Sequence, residues 1–229
     1  MDRREFLKVT GAGALTLFLS GCGINAVSGD KKAGAAAAQS AEAKPGGVSQ
    51  GKKLKIVVLC GSPHRNGTSA LLADKFIEGA KASGHEVFRF NAAFEDIHPC
   101  RGCDACGMNG PCVIKDAIEE KLIQQLVDCD MVALVTPLYY YGFSAQLKTV
   151  IDRFYSRTGS IHRKKSMLMA TAWNSANITF NSLQEHYDTL VRYMEWQDVG
   201  RVLGYGCGSR SAIEGSEFPE QAFAIGKKL

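Results

Sequence analysis

Two common nucleotide-binding signatures are missing from this sequence of 229 residues. No glycine-rich loop ends in Gly-Lys-Ser or Gly-Lys-Thr, which excludes a P-loop of the Walker type. The spacing Gly-x-Gly-x-x-Gly is also missing, because the glycines of "GYGCGS" (204–209) do not follow it, so a Rossmann dinucleotide site is not indicated. No acid–base triad is visible either.

Strong charge and long apolar runs are also scarce. The formal net charge of +4 is mild, and no basic run is interleaved with aromatic residues, so nothing favours a nucleic-acid partner. Residues 52–229 contain no uncharged apolar run of about eighteen residues, which argues against an internal transmembrane helix. The whole chain has 45% hydrophobic and 22% charged residues, an ordinary globular balance, and residues 52–229 are predicted to form one domain.

The N-terminus carries two export patterns in order. "DRREFLK" (2–8) places two arginines before a short apolar run, which is typical of a twin-arginine signal, although Asp2 stands where Ser or Thr is usual. "LSGC" (19–22) resembles a lipobox with Cys22 as the lipidated residue. The alternative is a frayed amphipathic end. We expect a signal over 1–22, a flexible Ala/Gly/Ser-rich linker over 23–51, and an extracytoplasmic protein held at the membrane by its lipid alone.

Strands and helices alternate through residues 52–229. The first strand contains an unbroken apolar run, Ile56–Cys60, which is typical of a strand buried on both faces of a parallel sheet. The pattern predicts a doubly wound α/β domain with a five-stranded parallel sheet and helices on both faces. The predicted strands are 53–62, 85–91, 130–137, 165–173 and 198–207, and the predicted helices are 68–84, a segment capped by Asp116, 144–155 and 180–196.

The loop after the first strand, "GSPHRNGTS" (61–69), predicts a phosphate site. It offers the hydroxyls of Ser62, Thr68 and Ser69 beside a helix N-terminus, whose free N–H groups and dipole favour an anion. Arg65 can add positive charge. The alternative is a glycine-rich turn whose hydroxyls only cap the helix.

The loop after the third strand, "TPLYYYGFSAQLK" (136–148), is rich in aromatic residues. Such a loop can hold a flat ring while its backbone reads the polar edge of that ring. Trp173 ends the fourth strand nearby, since the carboxyl ends of parallel strands share one edge of the sheet. The alternative for the tyrosines is a subunit interface or a packed corner, and both interpretations can be true together.

Together, "GSPHRNGTSALL", "PCRGCDAC…GPC" and "TPLYYYGFSAQLKTVIDR" resemble the flavodoxin-like NADPH-dependent FMN reductase family, and within it the iron–sulfur flavoproteins. The resemblance covers nearly all of residues 54–207. It implies FMN as cofactor, NAD(P)H as a donor, and an oligomer with FMN near a subunit interface. By the family's pattern, the phosphate would be held by Ser62, Arg65, Asn66, Thr68 and Ser69, and the isoalloxazine ring by Pro137, Leu138, Tyr139, Tyr140 and Gly142.

Four cysteines stand at the spacing C-x2-C-x2-C-x5-C: Cys100, Cys103, Cys106 and Cys112. Iron–sulfur flavoproteins carry a compact run of this kind that binds one [4Fe–4S] cluster, and four thiolates on one loop can surround such a cube. Free thiols stay open, as do a zinc site with His98 as a spare ligand and a pair of disulfides. Cys60, Cys129 and Cys207 are interpreted as small buried residues.

Three functions compete at this point. The first is an FMN and [4Fe–4S] oxidoreductase that converts between two-electron and one-electron partners, whether proteins or small molecules such as quinones. The second is an NAD(P)H-dependent FMN or quinone reductase whose cysteines hold no cluster. The third is a passive flavodoxin-like electron carrier. Export would favour a donor other than NADPH, because nicotinamide cofactors are expected to be scarce outside the cytoplasm.

Overall fold

The computed structural model describes residues 52–229. The predictions for residues 1–51, namely the export signal, lipidation of Cys22 and the linker, lie outside the described residues. Within 52–229, five parallel strands form a sheet in the order β2-β1-β3-β4-β5, which confirms the predicted flavodoxin-like architecture. The strands are β1 (Lys55–Cys60), β2 (Glu86–Asn91), β3 (Met131–Pro137), β4 (Lys165–Thr171) and β5 (Gln197–Gly204).

The central strands are buried because helices cover both faces of the sheet. Residues Ile56–Cys60 of β1 are all buried, as the unbroken apolar run predicts. The α-helices are α1 (Thr68–Ala82), α2 (Ile123–Asp128), α3 (Ala145–Asp152), α4 (Thr158–Ile161), α5 (Asn181–Tyr193), α6 (Arg210–Glu214) and α7 (Phe218–Lys228). One hydrophobic layer contains alternate residues of β1 and β3 with α2, α3 and α5, and the other contains the remaining residues of these strands with α1 and α7. No helix among the described residues is long and apolar enough to cross a bilayer.

The helix predicted after Asp116 begins differently from the prediction. Its first turn is a π-helix over Ile118–Leu122, which continues into α2. Asp116 does cap it, since its Oδ1 accepts the N–H groups of Ile118 and Glu119 at 3.1 and 3.2 Å. The reciprocal bond of a capping box is not made, because the Glu119 carboxylate accepts the N–H of Cys112 at 3.2 Å instead.

Helix α7 has no counterpart among the sequence predictions. It packs against α1 through two glycines that allow the backbones to touch. A Cβ on Gly79 would lie 2.1 Å from Phe223 O, and one on Gly226 would lie 2.3 Å from Phe76 O. Any larger residue at either position must separate the two helices.

Candidate functional site

The carboxyl ends of β1, β3 and β4 enclose a pocket of about 350 Å³. Parallel strands place the loops that follow them on one edge of the sheet. The strand order reverses between β1 and β3, because β2 and β3 lie on opposite sides of β1, and this opens a crevice there. Seven residues predicted from the sequence line this pocket: Ser62, Thr68, Ser69, Pro137, Leu138, Tyr139 and Trp173.

The N-terminus of α1 forms the base of this pocket. Among residues 52–229, no side chain caps the first turn of α1, and the Ser69 hydroxyl is buried without a hydrogen-bond partner. The Thr68 hydroxyl lies 2.8 Å from that of Thr171 at the end of β4. Free helix N–H groups beside a buried, unpartnered hydroxyl suit a phosphate monoester, so the residues fit the phosphate of FMN.

Ser144 ties the loop after β1 to the loop after β3. Its hydroxyl donates to the carbonyl of Gly61 at 2.9 Å and accepts the N–H of Leu147 at 3.4 Å as the N-cap of α3. Gly61 must be glycine, because a Cβ there would lie 2.3 Å from the Ser144 Oγ. The loops after β3 and β4 are joined in turn by Leu138 N–H, which donates to Thr171 O at 2.8 Å.

Tyr140 and Tyr141 form the tip of a tight turn at the mouth of the pocket. Tyr139 and Gly142 exchange backbone hydrogen bonds on either side of them, at 3.3 and 3.1 Å. Both tip residues have left-handed backbones, with φ of 45° and 63°, which is the geometry of a type I′ turn that favours Asn and Gly. Two tyrosines in this geometry store strain, and such strain collects at functional sites.

Four of the residues predicted for the flavin do not line the pocket: Arg65, Asn66, Tyr140 and Gly142. The Arg65 guanidinium lies 4.0 Å from the centre of the Phe94 ring, in a neighbouring pocket of about 210 Å³. The backbone carbonyl of Asn66 accepts from Arg210 at 3.3 Å. Tyr140 is fully exposed at the turn tip and Gly142 closes that turn.

Several lining residues were not predicted as ligands. They are His64, Gly67, Thr171, Ala172, Cys207 and Gly208. Thr171 and Ala172 stand where β4 ends, so the register of the strand could have indicated them. Gly208 lines the pocket where the Trp173 ring packs against its backbone, and a Cβ at this position would lie 2.5 Å from that ring.

The four cysteines of the loop between β2 and the π-helix line one pocket, together with Arg153 and Tyr155. Cys100 and Cys103 are exposed, Cys106 is partly buried and Cys112 is buried. All seven cysteines within the described residues are free, Cys60, Cys129 and Cys207 being buried as predicted. Among residues 52–229, however, no three His, Cys, Asp or Glu side chains stand close enough together to form a metal site, so the cluster stays a prediction.

The backbone of the cysteine loop is tightly turned. Four of its residues have left-handed φ angles: Gly102, Asp104, Gly107 and Met108. The Tyr155 hydroxyl donates to the Asp104 carboxylate at 2.7 Å, and this bond raises the pKa of Tyr155. His98, the spare ligand considered for zinc, does not line the pocket and lies with its Nδ1 3.8 Å from Asp116 Oδ2.

Asp116 is the most deeply buried acid beside this loop. Burial acts to raise its pKa, but the hydrogen bonds from His98 N–H, from Arg153 and from Glu119 N–H outweigh burial, and with the charge of Arg153 they hold the pKa below its usual value. The side chains of Asp116 and Arg153 are 0% and 1% exposed, and their oxygen and nitrogen lie 2.8 Å apart. Asp116 is therefore a paired carboxylate at neutral pH.

The strand order and the pocket place the chain among flavodoxin-like α/β proteins. The NADPH-dependent FMN reductase model matches residues 54–206, and the chain therefore belongs to that family. Iron–sulfur flavoproteins of Methanocaldococcus jannaschii and Archaeoglobus fulgidus are 32% and 36% identical over 100 and 101 residues, each match covering 44% of this chain. The matches span 51% and 45% of those relatives, so the chain matches about half of their length.

Solved structures agree on the fold. An NAD(P)H:quinone oxidoreductase from Methanothermobacter marburgensis superposes with a TM-score of 0.61 at 16% identity, over 77% of this chain and 97% of that one. At this identity the likeness establishes the shared fold alone.

Proposed function

We propose that the protein is an FMN-dependent oxidoreductase that takes electrons from a two-electron donor and passes them to one-electron acceptors through a [4Fe–4S] cluster on its cysteine loop. The observation that carries the flavin part is the pocket at the sheet edge, where the uncapped first turn of α1 meets the buried, unpartnered hydroxyl of Ser69. Family membership supports the same cofactor.

The chain's own residues bind and orient the flavin. Ser62, Thr68 and Ser69, with the N–H groups of α1, would hold the phosphate, and Pro137, Leu138 and Tyr139 would lie along the ring. Trp173 and the Tyr140–Tyr141 turn stand at the mouth, where they can shield the ring from water. When bound, FMN supplies hydride acceptance and single-electron release, so no side chain needs to act as an acid or base.

The cluster is proposed on two grounds. Cys100, Cys103, Cys106 and Cys112 all line one pocket, and the curated relatives named above are iron–sulfur flavoproteins. Four thiolates are the donor set that a [4Fe–4S] cluster takes, so the residues fit the group by their chemistry, and the cluster would have to draw the four side chains together. A cluster there would move one electron at a time.

A second candidate is a plain NAD(P)H-dependent flavin or quinone reductase. One observation favours it, namely that the described cysteines do not stand as a preformed metal site. NAD(P)H as donor and quinones as acceptors are in keeping with the family and with the name of the Methanothermobacter structure.

The sequence further supports twin-arginine export, lipidation at Cys22 and assembly as a homo-oligomer, all of which belong to the proposal. Export through that route would suit a protein that acquires its flavin before it crosses the membrane. Changing Arg3 and Arg4 to Lys should retain full-length precursor in the cytoplasm, and Cys22→Ala should release the protein from membranes. Unaltered fractionation of both variants would remove this part of the proposal.

The deciding experiment measures flavin, iron and sulfide in anaerobically purified protein. The proposed function requires released FMN rather than FAD, together with about four iron and four sulfide per chain, as one [4Fe–4S] cluster demands. Serine at any of the four cysteines should remove iron and leave FMN. Wild-type protein with FMN but without iron after reconstitution would favour the plain reductase, and turnover with NAD(P)H and a quinone would then separate it from a passive carrier.

A further inference from the structure

Arg153 holds the two ends of the cysteine loop. Its side chain is 1% exposed, and it follows directly after α3. Nη1 donates to the carbonyl of His98 at 3.0 Å, before the first cysteine, and Nη2 donates to the carbonyl of Ile114 at 3.1 Å, after the last one. One guanidinium therefore closes the loop from both sides.

Asp116 completes this closure. Its Oδ2 accepts from Arg153 Nη1 at 2.8 Å and from the N–H of His98 at 2.8 Å, while its Oδ1 caps the π-helix. The Asp116–Arg153 ion pair is therefore hydrogen-bonded to the start of the loop, to its end and to the first turn of the following helix. A planar guanidinium can make these contacts together because its donors are fixed in a fork.

One nitrogen of Arg153 makes no hydrogen bond among the described residues. Its Nε is buried and has no hydrogen-bond partner among residues 52–229, although Arg153 lines the same pocket as Cys100, Cys103, Cys106 and Cys112. A buried N–H without a partner is costly and calls for an explanation. The four thiolates with their iron would carry net negative charge, and sulfur accepts hydrogen bonds that tune such centres.

We propose that Arg153 is a positioning residue for the four-cysteine site: its ion pair with Asp116 closes the loop, and its Nε–H donates to a sulfur of the iron–thiolate group held there. The inference rests on the proposed function. It predicts that loss of Arg153 loosens the loop, lowers iron retention and shifts the reduction potential of the remaining cluster to more negative values, because a positive charge and a donor are lost.

A purely structural role would not move the potential. The test therefore compares three variants with the wild type in FMN-loaded protein: Arg153→Lys, the double variant Asp116→Asn with Arg153→Gln, and Arg163→Gln. The double variant removes both charges at once, so no lone buried charge is left to unfold the chain. Arg163→Gln is the matched control, because that arginine pairs with Glu195 at 2.6 Å on an exposed surface.

The measurements are iron and FMN per chain after anaerobic reconstitution, the cluster potential, and hydrogen exchange over residues 98–116. We expect the double variant to keep FMN, to lose at least half of its iron and to exchange at least tenfold faster in the loop. Arg153→Lys should keep more iron at a potential below that of the wild type, and the control should match the wild type throughout.

The outcomes separate this inference from the cluster itself. If wild-type protein holds iron and the double variant holds as much at the same potential, Arg153 has no such role. If wild-type protein holds no iron, the cluster fails and hydrogen exchange decides: faster exchange confined to the loop supports the closing role of Arg153, and unchanged exchange overturns it.

Discussion

Ser69 shows how a single residue can point to a ligand. Its hydroxyl is buried without a partner at the start of α1, which is costly unless something else completes the bond. We predict that Ser69→Ala weakens FMN binding by about 1.5–3 kcal/mol, the usual loss for a hydrogen bond to a charged group. Fluorescence titration of flavin-free protein measures it, with the exposed Ser182→Ala in α5 as control. Equal affinity of both variants and wild type would contradict the phosphate assignment.

The cysteines should differ sharply in reactivity. Burial raises the pKa of Cys129 to about 11, so about one thiol in a thousand is ionised at pH 8, and only the thiolate attacks. Cys100 and Cys103 are exposed. In iron-free protein we predict that iodoacetamide labels these two first and leaves Cys129 unlabelled, as peptide mass spectrometry would show. Labelling of Cys129 at the rate of Cys100 would count against the described burial.

The sequence predicted those pocket residues whose position depends only on their neighbours along the chain. Ser62, Thr68 and Ser69 face the pocket because they flank the start of a helix that the apolar spacing predicts. Arg65 could not be placed in the same way, since its guanidinium packs on Phe94 from a distant segment. Cys207 lines the pocket only because β5 ends beside β4, and strand adjacency is not visible locally.

Among the elements, the Tyr140–Tyr141 turn places two exposed aromatic side chains at positions where the backbone is strained. Both residues have left-handed φ angles that glycine adopts without strain. We predict that Tyr141→Gly raises the free energy of unfolding of flavin-free protein by about 1 kcal/mol. Relief of the strained backbone contributes about 1–3 kcal/mol, and the greater conformational entropy of glycine in the unfolded chain offsets part of that gain. Urea unfolding provides the measurement.

A matched control for this turn lies at the opposite edge of the sheet. Glu195 also has a left-handed φ, of 51°, so Glu195→Gly should change stability in the same direction and leave FMN affinity unchanged. Tyr141→Gly should weaken FMN binding if the tyrosine covers the ring. A Tyr141→Gly protein less stable than wild type would show that the tyrosine side chain contributes more than its backbone costs.

Element prediction succeeded where apolar periodicity was strong and failed where contact between elements decides. Strands β1, β3 and β4 follow from apolar runs bounded by turn residues, and the order of the five strands is that of the resembled fold. Helix α7 depends on Gly79 and Gly226, which bring two backbones together although they lie far apart in sequence. The π-turn after Asp116 likewise depends on Arg153, because that residue fixes the carboxylate that caps it.

For the molecule as a whole, the Asp116–Arg153 pair makes stability depend on pH. The pKa of Asp116 is lower in the folded than in the unfolded state, so the stabilisation is complete above the unfolded value near 4 and is lost as pH falls through the folded value. We predict that Asp116→Asn costs about 3–5 kcal/mol at pH 7, because it leaves a buried guanidinium unpaired, and that the loss shrinks toward pH 3.

Urea unfolding at pH 7, 5 and 3 provides the comparison. Glu185→Gln is the control, since that carboxylate forms an exposed pair with Arg192 at 3.4 Å and should cost less than about 1 kcal/mol at every pH. An Asp116→Asn penalty that stayed constant down to pH 3 would show that another interaction of Asp116 dominates.

The mouth of the flavin pocket also bears on assembly. Tyr139, Tyr140, Tyr141 and Trp173 are all exposed there, and exposed apolar side chains that lie together mark interaction surfaces. We predict that a homo-oligomer forms through this surface and that Trp173→Arg converts it to a monomer in analytical ultracentrifugation. Tyr193→Arg, an exposed tyrosine in α5 at the other edge, should leave the oligomer intact. A monomeric wild type would contradict this assignment.

Helix α3 connects the loop after β1 to the cysteine loop. At its N-terminus, Ser144 donates a hydrogen bond to Gly61 in the loop that would hold the phosphate. Just past its C-terminus, Arg153 donates to the carbonyl of His98 at the start of the cysteine loop. Its eight residues span about 12 Å, a length fixed by helix geometry. This short helix therefore fixes the separation of its two anchoring residues, Ser144 and Arg153, and with it the spacing of the two loops that they hold. Substitutions on the outer surface of α3 should leave this spacing unchanged. A single residue inserted into α3 would instead rotate Arg153 by about 100° away from the cysteine loop.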